Sequence, residues 1–257
     1  MSKIATVTRT REIMDQYGLT ARKKYGQNFL IDHNIVDLIV ERVPEEKKVI
    51  EIGPGLGALT EEILPYKAYE IDSDLAEMLK REFDGRVEII NQDFLEADDY
   101  QDAEVLVSNV PYYITTDILS KVFHDPGKLE KIIIMVQKEV AEKLLGNCDK
   151  KDRGALNVLI DYYCDVRKVC NVSRNCYYPK PNVDSEVVEL EFKNREELSC
   201  EFVRMVEACF RQRRKLVFSN LKNEGYTVSQ KAQHMYSGKR AEELNVEDFL
   251  TVYGELV

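Results

Sequence analysis

Five short apolar runs constrain this chain more than any other feature: KKVIEI (47–52), AYEI (68–71), VEII (87–90), AEVLVS (103–108) and KIIIMV (131–136). Strands that read as nearly unbroken apolar runs are covered on both faces, and parallel neighbours must be joined by a crossover of a dozen or more residues, normally a helix. The intervening segments supply those helices in LTEEIL, DLAEMLKREF, TTDILSKVF and QKEVAEKLL, the third with Thr115 or Thr116 as its expected N-cap. The alternation predicts an α/β fold on a parallel sheet.

After Gly154 the pattern changes. ALNVLIDYY reads as a helix, and CDVRKVCNV and SEVVELEF read as two late strands, which brings the sheet to seven. From about Asn194 the chain reads as helices only, including FVRMVEACFRQRR and a last segment through FLTVYGEL. The expected division is residues 1–193 and a small helical domain, 194–257, a plan that 257 residues accommodate. No apolar stretch is long enough to span a bilayer and MSKIATVTRT lacks a secretory apolar segment, so the expected compartment is the cytoplasm, with no membrane partner. The six cysteines, all beyond residue 147, include three spaced by five intervening residues; this matches no zinc pattern and predicts reduced, mostly buried thiols and no metal.

A net charge of −10 argues at first against a polyanionic partner, yet the average conceals two basic segments. Residues 1–24 carry Lys3, Arg9, Arg11, Arg22, Lys23 and Lys24 against Glu12 and Asp15. Residues 204–222 carry Arg204, Arg211, Arg213, Arg214, Lys215 and Lys222 against Glu207 alone. Taken by themselves, such clusters read as solvated helix faces.

The candidate site lies at the strand tips. The first strand runs into Gly53-Pro54-Gly55-Leu56-Gly57, where glycines allow close approach of a ligand. The spacing is GxGxG, not the GxGxxG of a dinucleotide site, which disfavours a nicotinamide dehydrogenase and favours a nucleoside without a pyrophosphate, such as S-adenosylmethionine. Glu70 ends the second strand, where a carboxylate accepts both hydroxyls of a ribose, and Asp93 ends the third, where it accepts from an adenine amino group. The fourth strand opens into Asn109-Val110-Pro111-Tyr112-Tyr113. The Asn109 amide and the Val110 carbonyl offer acceptors to an exocyclic amine, Pro111 stiffens the turn and Tyr112 offers a face for a flipped base. Two tyrosines packed on the core account for these residues equally well.

ARKKYGQNFLID (21–32), VIEIGPGLGALT (49–60), YEID, NQDF, NVPYYITT, VQKEVAEKLL (136–145), YYPKPNVDSEVVEL (177–190) and FRQRRK (210–215) together resemble the bacterial small-subunit rRNA adenine dimethyltransferases of the KsgA type. The resemblance implies a class I S-adenosylmethionine-dependent methyltransferase, a Rossmann-like, mostly parallel seven-stranded sheet with a small all-helical C-terminal domain. It also implies two methyl transfers to each of two adjacent adenosines near the 3′ end of 16S rRNA, with S-adenosylhomocysteine as product and a role in small-subunit biogenesis. Carried over by position, the cofactor residues are Asn28, Leu30, Gly53, Glu70, Asp93 and Asn109, to which the glycine loop adds Gly55. Tyr112 and Tyr177 flank the target adenine, and Arg22, Lys23 and Lys24 with Arg211, Arg213, Arg214 and Lys215 meet rRNA phosphates. A monomer is expected, working on the assembling small subunit.

The chain departs from the family in a shorter Gly53 to Glu70 interval, in LVFSNL after the basic run, in Tyr113 where Asn is frequent and in Asp117 where Pro is common. Asp117 resembles the large-subunit rRNA enzymes of macrolide resistance, which are the alternative reading. A ribosome-assembly factor with dispensable catalysis is another. Tyr113 receives no role and is expected to be structural.

Overall fold

The computed structural model describes residues 3–193 and 196–257. Their strands are β1 (Phe29–Leu30), β2 (Val49–Ile52), β3 (Lys67–Tyr69), β4 (Glu88–Ile90), β5 (Val105–Ser108), β6 (Lys131–Gln137), β7 (Cys164–Val172), β8 (Tyr177–Tyr178) and β9 (Ser185–Phe192). Seven form one sheet in the order β4-β3-β2-β5-β6-β9-β7, and β1 with β8 makes a separate antiparallel ribbon. The five apolar runs are the parallel strands of that sheet. β9 returns antiparallel along β6, from Lys131 opposite Glu191 to Gln137 opposite Ser185.

Burial accounts for the pattern. β2 and β5 are buried at every position because apolar side chains cover both faces of the sheet. One cluster packs Val36 and Ile39 of helix His33–Val40 on Val49, Val105, Val107 and Ile133. Another packs Leu75, Leu79 and Phe83 on Ala68 and Ile89. β2 lies between β3 and β5, so the chain leaves it first to one side and later returns to the other, and this reversal opens a crevice at the strands' carboxyl ends.

Local details differ from expectation. Neither Thr115 nor Thr116 caps the third helix: a 3-10 turn, Tyr112–Ile114, runs straight into helix Thr115–His124, so Thr115 is already helical and its buried hydroxyl has no partner among the described residues. The short Gly53 to Glu70 interval appears as a helix of one turn, Thr60–Ile63, ended by Leu64 at φ 47°. The thiols are not mostly buried: Cys164 and Cys209 are, Cys148, Cys170 and Cys176 are half-buried and Cys200 is exposed.

The described residues fall into two compact units, one from Met1–Ala141 with Val166–Phe192 and the other from Glu142–Asp165 with Lys193–Val257. The boundary expected at Asn194 lies outside the described residues. The first unit carries the sheet together with an N-terminal helix, Val7–Tyr17, capped by the Thr6 hydroxyl and stopped by Gly18 in the left-handed region. The second is predominantly helical; helix Cys200–Phe210 sets Phe202 edge-on to Tyr253 of helix Val246–Gly254, ring centroids 5.4 Å apart. Among the described residues no helix is long and apolar enough to cross a membrane.

Candidate active site

Gly53 follows β2 at φ 69°, its N–H donating to the Tyr69 carbonyl at 2.9 Å. A Cβ there would sit 2.8 Å from Val110 Cγ1, and one on Gly55, φ 60°, would sit 3.2 Å from the Phe29 ring. The loop is therefore pressed between the tip of β5 and the N-terminal arm with no room for a side chain. Gly53→Ala combines left-handed strain with displacement of Val110 and is expected to destabilise the protein by about 1–3 kcal/mol, measured by chemical denaturation, with weaker cofactor binding.

Glu70, one residue past β3, is buried and locked by the backbone. Its Oε2 accepts from the Gly55 N–H at 3.1 Å and its Oε1 from the Asp72 N–H at 2.9 Å. Burial raises its pKa to about 7, against the lowering effect of those N–H groups. Asp93 caps a 3-10 turn by accepting from the Leu95 N–H at 2.9 Å. Glu51, absent from the expected site, is buried inside β2 and lines the same pocket; its Oε2 accepts from the Thr60 hydroxyl at 2.6 Å, and burial pushes its pKa to about 8. Its signal in the sequence was a carboxylate inside VIEI, a run otherwise apolar enough for a fully buried strand.

The loop after β5 forms the opposite wall. Asn109 lines the pocket, and its side chain has no hydrogen-bond partner among the described residues. Val110 is buried; Pro111 begins the turn that carries Tyr112, and its carbonyl accepts from the Ile114 N–H at 3.2 Å. The Tyr112 hydroxyl lies 2.6 Å from Ser185 Oγ. Tyr177, paired with Leu30 across the ribbon, is buried; its hydroxyl lies within hydrogen-bond reach of Met135 Sδ and of Ser185 Oγ, the latter at 3.2 Å. Ser185 thus gathers both tyrosine hydroxyls, a role no local sequence pattern marks. Tyr113 does not pack on the core as expected. It lies in the 3-10 turn Tyr112–Ile114, 65% exposed at the pocket.

The N-terminal arm closes the third side. Asn28 donates to the Gly26 carbonyl at 2.9 Å, and Leu30 is buried in β1. Lys23 and Lys24 are exposed, with Lys24 Nζ 4.2 Å from the Tyr25 ring centre. Arg22 instead turns inward, to Asp72 and Asp74. In the second unit Arg211, Arg213, Arg214 and Lys215 are all exposed, Arg211 facing Glu224 at 3.6 Å.

The structure therefore brings Asn28, Leu30, Gly53, Gly55, Glu70, Asp93, Asn109, Val110, Pro111, Tyr112 and Tyr177 around one pocket. That pocket is lined by the acidic side chains of Glu51, Glu70, Asp93 and Asp117 and, among the described residues, by no Lys or Arg. A pyrophosphate would find no side-chain counter-charge among those lining residues, whereas a cationic nucleoside bearing a sulfonium and an ammonium fits the acidic lining and the glycine cradle. Fold and site together define a class I S-adenosylmethionine-dependent methyltransferase.

Residues 18–257 match the model of the family described as "Ribosomal RNA adenine dimethylase", and the chain belongs to that family. It is similar to "Ribosomal RNA small subunit methyltransferase A" of Bacillus licheniformis, 37% identical over 98% of this chain and 97% of the relative. Among solved structures it is similar to a dimethyladenosine transferase from Plasmodium falciparum, TM-score 0.72, 25% identical, covering 87% of this chain and 95% of that one. The 23S rRNA methyltransferase ErmE is also similar, TM-score 0.65, 27% identical, covering 89% and 99%.

Proposed function

We propose that this enzyme dimethylates the exocyclic amino groups of two adjacent adenosines near the 3′ end of 16S rRNA, acting as a cytoplasmic monomer on the assembling small subunit. The observation that carries the reading is Asn109, an amide with no hydrogen-bond partner among the described residues, which lines the same pocket as Tyr112 and the acidic side chains. When bound, S-adenosylmethionine supplies an electrophilic methyl on its sulfonium, and S-adenosylhomocysteine remains after transfer. Asn28, Gly53, Gly55, Glu70 and Asp93 hold it.

An aromatic amine is a poor nucleophile because its lone pair is delocalised into the ring. The Asn109 oxygen and the Val110 carbonyl accept the two amino hydrogens, which orients the nitrogen and holds its lone pair toward the incoming methyl. Tyr112 stacks on the extruded base, with its hydroxyl tethered to Ser185 so that the ring keeps its angle. No strong general base is needed, since the methylated nitrogen becomes a strong acid and gives its proton to water. Exposed Lys23 and Lys24 and the Arg211 to Lys215 run meet phosphates.

The large-subunit alternative has support in the likeness to ErmE, and the small-subunit choice has support in the nearly full-length curated relatives. Incubating the protein with labelled S-adenosylmethionine and small subunits from an unmethylated strain is expected to place label on two adjacent adenosines near the 16S 3′ end. Label on large-subunit RNA, or none at all, overturns the proposal.

A further inference from the structure

Arg22 sits in the basic segment assigned to rRNA phosphates, yet its charge is already engaged. Its Nη1 donates to Asp72 Oδ1 at 2.8 Å and its Nη2 to Asp74 Oδ2. Five residues on, Gln27 Nε2 donates to the other Asp72 oxygen at 2.9 Å, while Gln27 Oε1 accepts from the Arg22 N–H at 2.8 Å. The Asp72 side chain is 2% exposed, so both of its oxygens are committed to this arm and to the Asp74 N–H at 3.1 Å.

Asp72 is also joined to the ribose carboxylate, because its N–H donates to Glu70, which in turn accepts from Gly55. At the arm's other end Gly26, φ 58°, leaves room for no side chain: a Cβ there would meet Pro111 Cβ at 3.0 Å and the Tyr113 ring at 3.5 Å. The stretch from Arg22 to Asn28 thus bridges the Glu70–Asp72 tip and the Asn109–Tyr112 loop. We propose that Arg22 is a positioning residue that fastens this arm as the wall between the cofactor and target-base halves of the pocket, and not a contact to rRNA phosphate.

A buried carboxylate deprived of its cation is left as an uncompensated charge, which is destabilising, so the arm's register depends on the pair even though Arg22 itself is partly exposed. An ordinary surface pair would contribute almost nothing. The inference rests on the cofactor reading alone and does not depend on which RNA is methylated.

The test compares full-length Arg22→Ala, Arg22→Lys, Gln27→Ala and Lys23→Ala with the unaltered protein. S-adenosylmethionine binding is measured by calorimetry without RNA, and small-subunit binding is measured across a salt series. Arg22→Ala is expected to weaken cofactor binding about tenfold and raise the KM for cofactor more than it lowers kcat. Arg22→Lys should recover part of that loss, because one ammonium can still reach a carboxylate. Lys23→Ala should leave cofactor affinity alone and reduce the salt slope by about one. Unchanged cofactor affinity in Arg22→Ala, with a salt slope reduced like that of Lys23→Ala, overturns the proposal. Should Arg22→Ala fail to fold, Gln27→Ala decides, since it removes one Asp72 hydrogen bond and no charge: weakened cofactor binding supports the clasp, and wild-type affinity rejects it. Label found on large-subunit RNA would overturn the function proposed above and leave this inference standing.

Discussion

Asn109→Ala is expected to lower methyl transfer by about 10²- to 10³-fold at saturating S-adenosylmethionine, while the cofactor Kd changes by less than about tenfold. The reasoning is differential: in the proposed role the amide's oxygen acts on the amine as its nitrogen rehybridises, so its loss is felt at the reacting centre more than in the ground state. Neighbouring structure should tolerate the change, because the side chain has no hydrogen bond to another described residue and its removal orphans nothing. Single-turnover rates on unmethylated small subunits, set beside calorimetric affinities, make the measurement. Normal turnover, or a loss of affinity as large as the loss of rate, would remove Asn109 from the proposed role.

Glu70→Ala carries the second large effect, a cofactor Kd weakened by about 10²-fold or more. The carboxylate holds the Gly55 and Asp72 N–H groups at 3.1 and 2.9 Å, so its loss leaves buried donors unpaired in addition to removing the proposed ribose acceptor. Hydrogen bonds to a charged group contribute about 1.5–3 kcal/mol each, which converts to that factor. The same residue gives affinity a pH dependence. Burial holds its pKa at about 7, and hydroxyl donors favour the ionised form, so binding is expected to strengthen as pH rises through 7. Stability of the cofactor-free protein should move the other way. A carboxyl whose folded pKa lies above its unfolded value contributes stability that is fully present below about 4.5 and lost as pH rises through about 7, and Glu51 extends the loss toward 8. Glu70→Gln should flatten the affinity profile; a Kd independent of pH from 6 to 8 in the unaltered protein would count against this assignment.

The expected site residues that line the pocket share one property. Gly53, Glu70, Asp93 and Asn109 each follow an apolar run, and parallel strands bring their carboxyl ends to one edge, so a position along the chain translates directly into a position in the pocket. Glu51 escaped because its environment is decided by what packs on β2, although a carboxylate in VIEI was a visible anomaly. Ser185 could not be read at all: it meets Tyr112 across 73 positions, and only the antiparallel return of β9 along β6 brings them together. Thr115 looked like a cap because caps favour its type, but a cap depends on where the backbone turns helical, and here the preceding 3-10 turn set that point.

Apolar period and glycine spacing by themselves determined the parallel sheet, the crevice and the strand tips that line it, because strand burial and tip position follow from short-range pattern. Which charges remain free for a partner was decided by the tertiary structure. Arg22, Lys23 and Lys24 are consecutive and alike in composition, yet Arg22 faces a buried Asp72 fifty residues away while its two neighbours face solvent. Composition counts charges, but only packing determines which of them already have a partner.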